Sequence, residues 1–172
     1  MEQKQLETAL ERLHTQSFGW ALRCCSDDRE AAAEVLQNTY LKILEGKARF
    51  RETSAFRTWL FSVIRFTAAD YYRRQSRRQR LKLTTPGILH AETEAGPDAD
   101  APDRKEVFRE VLNRLSPQQS QVLHLVFYQD CTIREASDIM GIQLGTARTH
   151  YERGKKQMKA WLLSAGVLKD AF

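Results

Sequence analysis

Cysteine is scarce in this chain, with three in 172 residues. Cys24 and Cys25 are adjacent and Cys131 stands alone, so no disulfide framework can be read. The absence of CxxC or HxxxC spacing removes the usual zinc arrangements, and no metal or other cofactor is expected. Long apolar runs are missing too. Nothing approaches the ~20 residues that span a bilayer, and the first residues, MEQKQLETALERLH, make a polar amphipathic start without a signal-peptide core. A cytoplasmic protein with no membrane insertion of its own is expected. The four histidines, His14, His90, His124 and His150, are scattered, and neither a Ser/His/Asp set nor a glycine-rich phosphate loop is present. An enzyme is therefore not expected. No stretch alternates apolar and polar residues as a half-buried strand does.

What remains is 42% apolar and 28% charged, the composition of an ordinary globular protein, with its charge unevenly placed. Residues 47–82 hold 11 Lys and Arg against 2 Asp and Glu, whereas residues 83–103 hold 5 acidic residues and no basic one. Residues 104–172 are again basic, at net +4. Basic blocks of this kind attract nucleic acid, although membrane surfaces and acidic proteins attract them as well. The acidic stretch TTPGILHAETEAGPDADAPD contains three of the four prolines and cannot build a core, so it reads as a flexible linker. The expected fold is all-α: two small helical domains, residues 1–83 and 103–172, joined by residues 84–102.

In the first domain Leu6, Leu10, Leu13, Trp20 and Ala21 recur on one face and predict a single helix over residues 1–25. The sequence SDDRE then offers Ser26 or Asp27 as N-cap of a second helix running to about Leu44. Its inward residues are Ala31, Val35, Tyr40, Ile43 and Leu44. Its polar face carries Glu34, Gln37, Asn38, Lys42 and Glu45. Residues 46–58, GKARFRETSAFRT, interleave basic side chains with Phe50 and Phe56. Unpaired nucleic acid suits such a loop, since charge follows the backbone and rings stack on bases. The same rings would equally anchor the loop to a core. From Thr58 to about Leu81 a long helix buries Trp59, Leu60, Val63, Ile64, Ala68, Tyr71 and Tyr72. It then turns basic at Arg73, Arg74 and Arg77, where cations suit both phosphates and the negative end of the helix.

The second domain opens with a helix from Asp103, with Val111, Leu112 and Leu115 inward. Ser116, Pro117 and Gln119 form a capping box before an apolar helix of Val122, Leu123, Leu125, Val126 and Phe127. Thr132 and Glu135 repeat the capping spacing, and Ile133, Ala136, Ile139 and Met140 share one face. Gly141 stops that helix, because glycine tolerates the left-handed C-terminal cap. A last stripe of Leu144, Ala147, Tyr151, Gly154, Met158 and Leu162 leaves Thr146, Arg148, Thr149, Glu152, Arg153 and Lys156 outward. Two helices joined by a tight turn, the second bearing guanidinium, hydroxyl and carboxylate groups, describe a helix-turn-helix suited to a major groove.

These motifs, in this order, resemble the bacterial RNA polymerase sigma factors of the extracytoplasmic-function (ECF) group. The stretch NRLSPQQSQVLHLVFYQDCTIREASDIMGIQLGTARTHYERGKKQM resembles the family's region 4, with Glu135-Ala136-Ser137 and Gly145-Thr146-Ala147 at two of its regular positions. The stretch FRETSAFRTWLFSVIRFTAADYYRRQSRR is similar to the promoter-melting and minus-10 segment of region 2, through Trp59-Leu60 and the terminal Tyr-Arg-Arg. EVLQNTYLKIL resembles the polymerase-binding helix.

The resemblance implies an alternative sigma factor that binds core polymerase, reads two promoter elements and helps open the duplex. It implies that Glu34, Gln37, Asn38, Leu41 and Lys42 face the β′ clamp, with the β flap as a second polymerase contact. Phe50, Arg51, Ser54 and Phe56 would capture an unpaired minus-10 base, and Arg65, Asp70, Arg73, Arg74 and Arg77 would follow the minus-10 DNA. Thr146, Arg148, Thr149, Glu152, Arg153 and Lys156 would read the minus-35 element. An anti-sigma partner, in many relatives membrane-bound, is implied as well. The chain departs from the family pattern at Phe66, where Asn is common, at Asn38, where an acid is common, and at His150, which replaces a frequent Arg. Trp59 reads as a core residue rather than one that stacks on bases. The competing reading is a stand-alone helix-turn-helix regulator that binds duplex DNA without polymerase, but it leaves the basic aromatic loop unexplained.

Overall fold

The computed structural model of the chain describes residues 3–83 and 110–164; the predicted linker lies outside them. Among the described residues there is no strand, and seven helices carry the fold. They are α1 (Gln3–Arg12), α2 (His14–Cys24), α3 (Arg29–Leu44), α4 (Phe56–Leu83), α5 (Pro117–Phe127), α6 (Ile133–Met140) and α7 (Leu144–Ser164). Residues 110–113 are also helical and lead into α5.

The single helix predicted over residues 1–25 is divided at Leu13. That residue sits at φ −95° and ψ 2°, yet its N–H donates to the Ala9 carbonyl (3.3 Å) and its carbonyl accepts from Ser17 N–H (2.8 Å). The chain bends there without losing its ladder. The N-cap of α3 is Asp28, not Ser26 or Asp27: Asp28 Oδ1 accepts from Ala31 N–H at 3.0 Å. Ser26 and Asp27 hold φ of 53° and 66°, whereas a capping residue needs the extended backbone that Asp28 adopts. Leu44 points outward, 48% exposed, because the buried stripe runs through Ala32, Val35, Leu36, Thr39 and Ile43, and the next residue is turned away by roughly 100°. Phe127 is exposed rather than core and lies against Tyr151.

The local signals of the second half hold. Ser116 and Thr132 each close a reciprocal capping box, and Gly141 takes φ 64° at the end of α6. Gly154 serves a different need. A β-carbon there would meet Leu123 Cδ1 at 3.0 Å and Gln119 Cβ at 3.2 Å, so its lack of a side chain sets the close approach of α7 to α5.

The two halves share one apolar core. Trp20, Leu60, Phe61 and Ile64 from α2 and α4 join Val122, Leu125, Ala136, Ile139 and Met140 from α5 and α6 in a continuous buried cluster. Polar contacts edge this junction. Arg23 donates to Asn113 Oδ1 (2.7 Å), Asn113 donates to Asp27 (3.0 Å), and Arg57 Nη1 donates to the Gln129 carbonyl (3.0 Å).

His124 sits in the junction, 5.8 Å from the Trp20 ring and 5.2 Å from Tyr128, with Gln129 Nε2 at 3.3 Å from its Nε2. Burial, aided by the nearby Arg23 charge, pushes its pKa down to about 3. Unfolded histidine takes up a proton near pH ~6.5 while the folded ring does not, so this stability is complete above pH ~6.5 and is lost as pH falls towards 3. The unfolding free energy of the wild type is expected to fall by about 2 kcal/mol between pH 7 and pH 5 through this group. Urea titrations of wild type and His124→Gln at both pH values check this: the variant should lose most of that slope, and equal slopes would contradict it.

Candidate functional site

Three exposed areas collect the residues singled out in the sequence. The first is a cleft of about 370 Å³ between α3 and α4, lined by Glu34, Asn38, Leu41, Lys42, Asp70 and Arg74 among others. Glu34, Gln37 and Leu41 are exposed on α3, while Asn38 and Lys42 are half-buried. Lys42 Nζ donates to Thr67 Oγ1 (3.3 Å) and pairs with Asp70 Oδ2 (3.5 Å). Asp70 is also paired with Arg73. Partial burial pushes the Asp70 carboxyl up, but the Arg73 hydrogen bond and the Lys42 charge outweigh this and hold its pKa below the usual carboxylate range. The ionised Asp70 sits between the Lys42 and Arg73 cations and offsets part of their positive charge. Thr67 was not picked out in the sequence. It looks like any buried helical threonine, and its link to Lys42 spans 25 positions without a local pattern.

The second area is the loop before α4 and the first turns of that helix. Phe50, Phe56 and Trp59 form a closed trio, with all three ring-centroid distances at 5.3 Å. Phe56 and Trp59 pack against the main core from its edge, so these rings both anchor the loop and remain half-exposed. Arg51 and Ser54 are exposed beside them. Further along α4, Arg73, Arg74 and Arg77 are exposed. Arg65 is separated from them: its Nε donates to Gln121 Oε1 of α5 at 3.1 Å, which draws it into the junction between the halves.

The third area is the pair α6 and α7. Thr132 N–H and Oγ–H donate to Glu135 Oε2 at 2.8 and 2.9 Å, and Glu135 N–H donates to Thr132 Oγ1 at 3.1 Å. The two Thr132 bonds, backbone first, hold the Glu135 carboxyl below its usual range, which fixes the charge at the positive end of α6. On α7, Ala147, Gly154 and Met158 face inward. Thr146, Arg148, Thr149, Glu152, Arg153 and Lys156 are all exposed, so the sequence assigned both faces correctly. Thr149 Oγ1 donates to the Gly145 carbonyl (3.0 Å) and Glu152 pairs with Lys155 (3.3 Å). Such a helix can present donors and acceptors to base edges. Among the described residues no cluster of three or more His, Cys, Asp or Glu is placed to hold a metal. No described helix is long and apolar enough to cross a membrane.

Comparison with known proteins agrees with this layout. The sigma-70 region 2 profile matches residues 9–78 and the sigma-70 region 4 profile matches residues 105–158. The RNA polymerase sigma factor YlaC of Bacillus subtilis is 30% identical over 132 residues, covering 76% of this chain and 76% of that protein. The ECF RNA polymerase sigma factor SigX of the same organism is 28% identical, covering 77% and 71%. Among solved structures, the sigma factor RpoE of Bartonella quintana, in complex with the anti-sigma factor NepR, superposes with a TM-score of 0.72 at 21% identity, covering 92% of this chain and 97% of that one. CnrH, in complex with the cytosolic domain of CnrY, gives a TM-score of 0.63 at 18% identity, covering 95% and 90%. The chain belongs to the sigma-70 family of RNA polymerase sigma factors, as an alternative sigma factor of the ECF group.

Proposed function

We propose that the chain divides its work between residues 1–83, which bind core polymerase and read and open the minus-10 element, and residues 103–172, which read minus-35. Residues 84–102 are the proposed connection. Glu34, Gln37, Asn38, Leu41 and Lys42 face the β′ clamp. Phe50, Arg51, Ser54 and Phe56 receive an unpaired minus-10 base, Arg73, Arg74 and Arg77 follow the adjoining phosphates, and the outward residues of α7 enter the minus-35 major groove. The chain performs no chemistry of its own and acts in the cytoplasm. A protein of the kind bound to RpoE and CnrH is its proposed inhibitor, acting by covering the polymerase-facing surface.

The observation that carries the polymerase contact is Leu41. It is 47% exposed, with Leu44 at 48% one turn further on, among the polar side chains of a helix whose other face is buried. Exposed apolar side chains bordered by polar ones are what the centre of a protein interface presents. Leu41→Arg should therefore weaken association with bacterial core polymerase by about tenfold or more, without loss of helicity, since the position is open to water. Titration of labelled protein with core enzyme reads this directly, and unchanged affinity would remove α3 from the interface.

A further inference from the structure

Apart from the three areas described above, a cavity of about 350 Å³ lies at the junction of the two halves, at the small end of the range for ligand pockets. Arg23 and Cys24, at the end of α2, form one wall; Asn113, Ser120 and Gln121 of the second half form the other. Arg23 is 7% exposed and Ser120 3%, and Arg23 Nε and Ser120 Oγ have no hydrogen-bond partner among the described residues. Burying a donor unpaired costs free energy, and more when it carries charge. The guanidinium is nevertheless fixed in place. Its Nη2 donates to Asn113 Oδ1 (2.7 Å), and its Nη1 lies 3.8 Å from Asp27 Oδ2, beyond hydrogen-bond reach. Asp27 therefore offsets part of the charge and leaves the Nε–H edge open.

Positive potential reaches this cavity from two further sources. Arg65 Nε donates to Gln121 Oε1 (3.1 Å), which sets a second guanidinium beside the wall. Burial and the neighbouring Cys25 push the Cys24 thiol up, and the charges of Arg65 and Arg23 oppose that push, so both cations are felt there. Pro117 also lines the cavity. It is the first residue of α5, whose N-terminal end carries the positive pole of the helix dipole. Leu112 and Leu115 add apolar surface to the lining. A buried guanidinium, a hydroxyl and a helix N-terminus suit the acceptor oxygens of a phosphate, and leucines beside them suit a small organic group. We propose that this cavity binds a small organic phosphate, with its oxygens on Arg23 Nε–H and Ser120 Oγ–H and its organic part against Leu112 and Leu115. Because its walls come from both halves, the ligand favours the joined arrangement over any in which the halves part.

The test is calorimetric titration of the full chain with phenyl phosphate, inorganic phosphate and phenol, at an ionic strength that screens exposed charges. Phenyl phosphate should bind at one site and raise the unfolding midpoint; inorganic phosphate should bind more weakly, and phenol not at all. Ser120→Ala removes a hydroxyl that has no partner, so the unliganded variant should be at least as stable as wild type, while its affinity for phenyl phosphate should fall about tenfold. Arg23→Gln should lower that affinity about a hundredfold or more. Equal affinity in wild type and both variants would put the anion on the exposed arginines of α4 and overturn the proposal. So would a failure of the wild type to bind phenyl phosphate. Neither result touches the sigma-factor role, whose test requires core polymerase.

Discussion

Trp20→Ala is expected to lower the unfolding free energy by about 3–5 kcal/mol, at the top of the range for a single core truncation. Trp20 has no exposed surface and binds both halves of the molecule. Its ring stacks on Phe61 of α4 at 6.1 Å and lies 5.8 Å from His124 of α5, while its Nε1–H donates to the Phe61 carbonyl at 2.9 Å. Removing it empties the largest buried side-chain volume and strands the groups that were packed around it. At roughly 2–4 °C per kcal/mol for a chain of this size, the midpoint should fall by about 6–20 °C. Trp20→Phe keeps a ring against Phe61 but loses the donor, so its loss should lie between wild type and alanine. Urea and thermal denaturation of the three proteins measure this, and a loss below about 1 kcal/mol for Trp20→Ala would mean that the junction packs far less tightly than described.

The largest functional effect is expected at Arg148. It is exposed near the start of α7, where a recognition helix meets base edges. A bidentate arginine–guanine pair is worth about 1–3 kcal/mol, so Arg148→Ala should cost roughly 5- to 150-fold at one minus-35 base pair and leave neighbouring preferences intact. Lys156, two turns further and exposed, suits a phosphate contact. Lys156→Ala should weaken all sequences alike and flatten the salt dependence by about one unit. Transcription from a recovered promoter and its single-base minus-35 variants separates the two effects. A uniform loss with Arg148→Ala would make that residue a phosphate ligand instead.

The parts of this structure that were legible in the sequence are those fixed over four or five residues. The Thr132–Glu135 and Ser116–Gln119 boxes and the Gly141 cap are each decided by neighbours in sequence, and they bound the second-half helices closely. The stripe on α7 was equally plain, since Ala147, Gly154 and Met158 leave only one way to face the core. The N-cap of α3 was not, because three potential acceptors stand side by side and only the positive φ of Ser26 and Asp27 selects Asp28. Leu44 and Phe127 were placed inward on apolar character alone, although both fall off the edge of their buried stripes.

What could not be read at all is how distant residues meet. Lys42 and Asp70 are 28 positions apart and Arg65 and Gln121 are 56 apart, and no periodicity links such pairs. Composition separated the halves at the acidic stretch, yet nothing local signals that Trp20, Phe61 and Val122 share a core. Trp59 shows the limit in miniature. Expected in the core, it lies at the core's edge, completing the aromatic trio with Phe50 and Phe56.

This chain is expected to give core polymerase a two-part promoter preference. The most direct measurement is to transcribe a library of random duplexes with bacterial core polymerase, with and without the purified protein, and to sequence the templates used. Transcripts are expected only when the protein is present, from templates sharing two short motifs at fixed spacing, one in the minus-35 and one in the minus-10 position. Transcription unchanged by the protein, alongside tight binding of the protein alone to one duplex sequence, would contradict it.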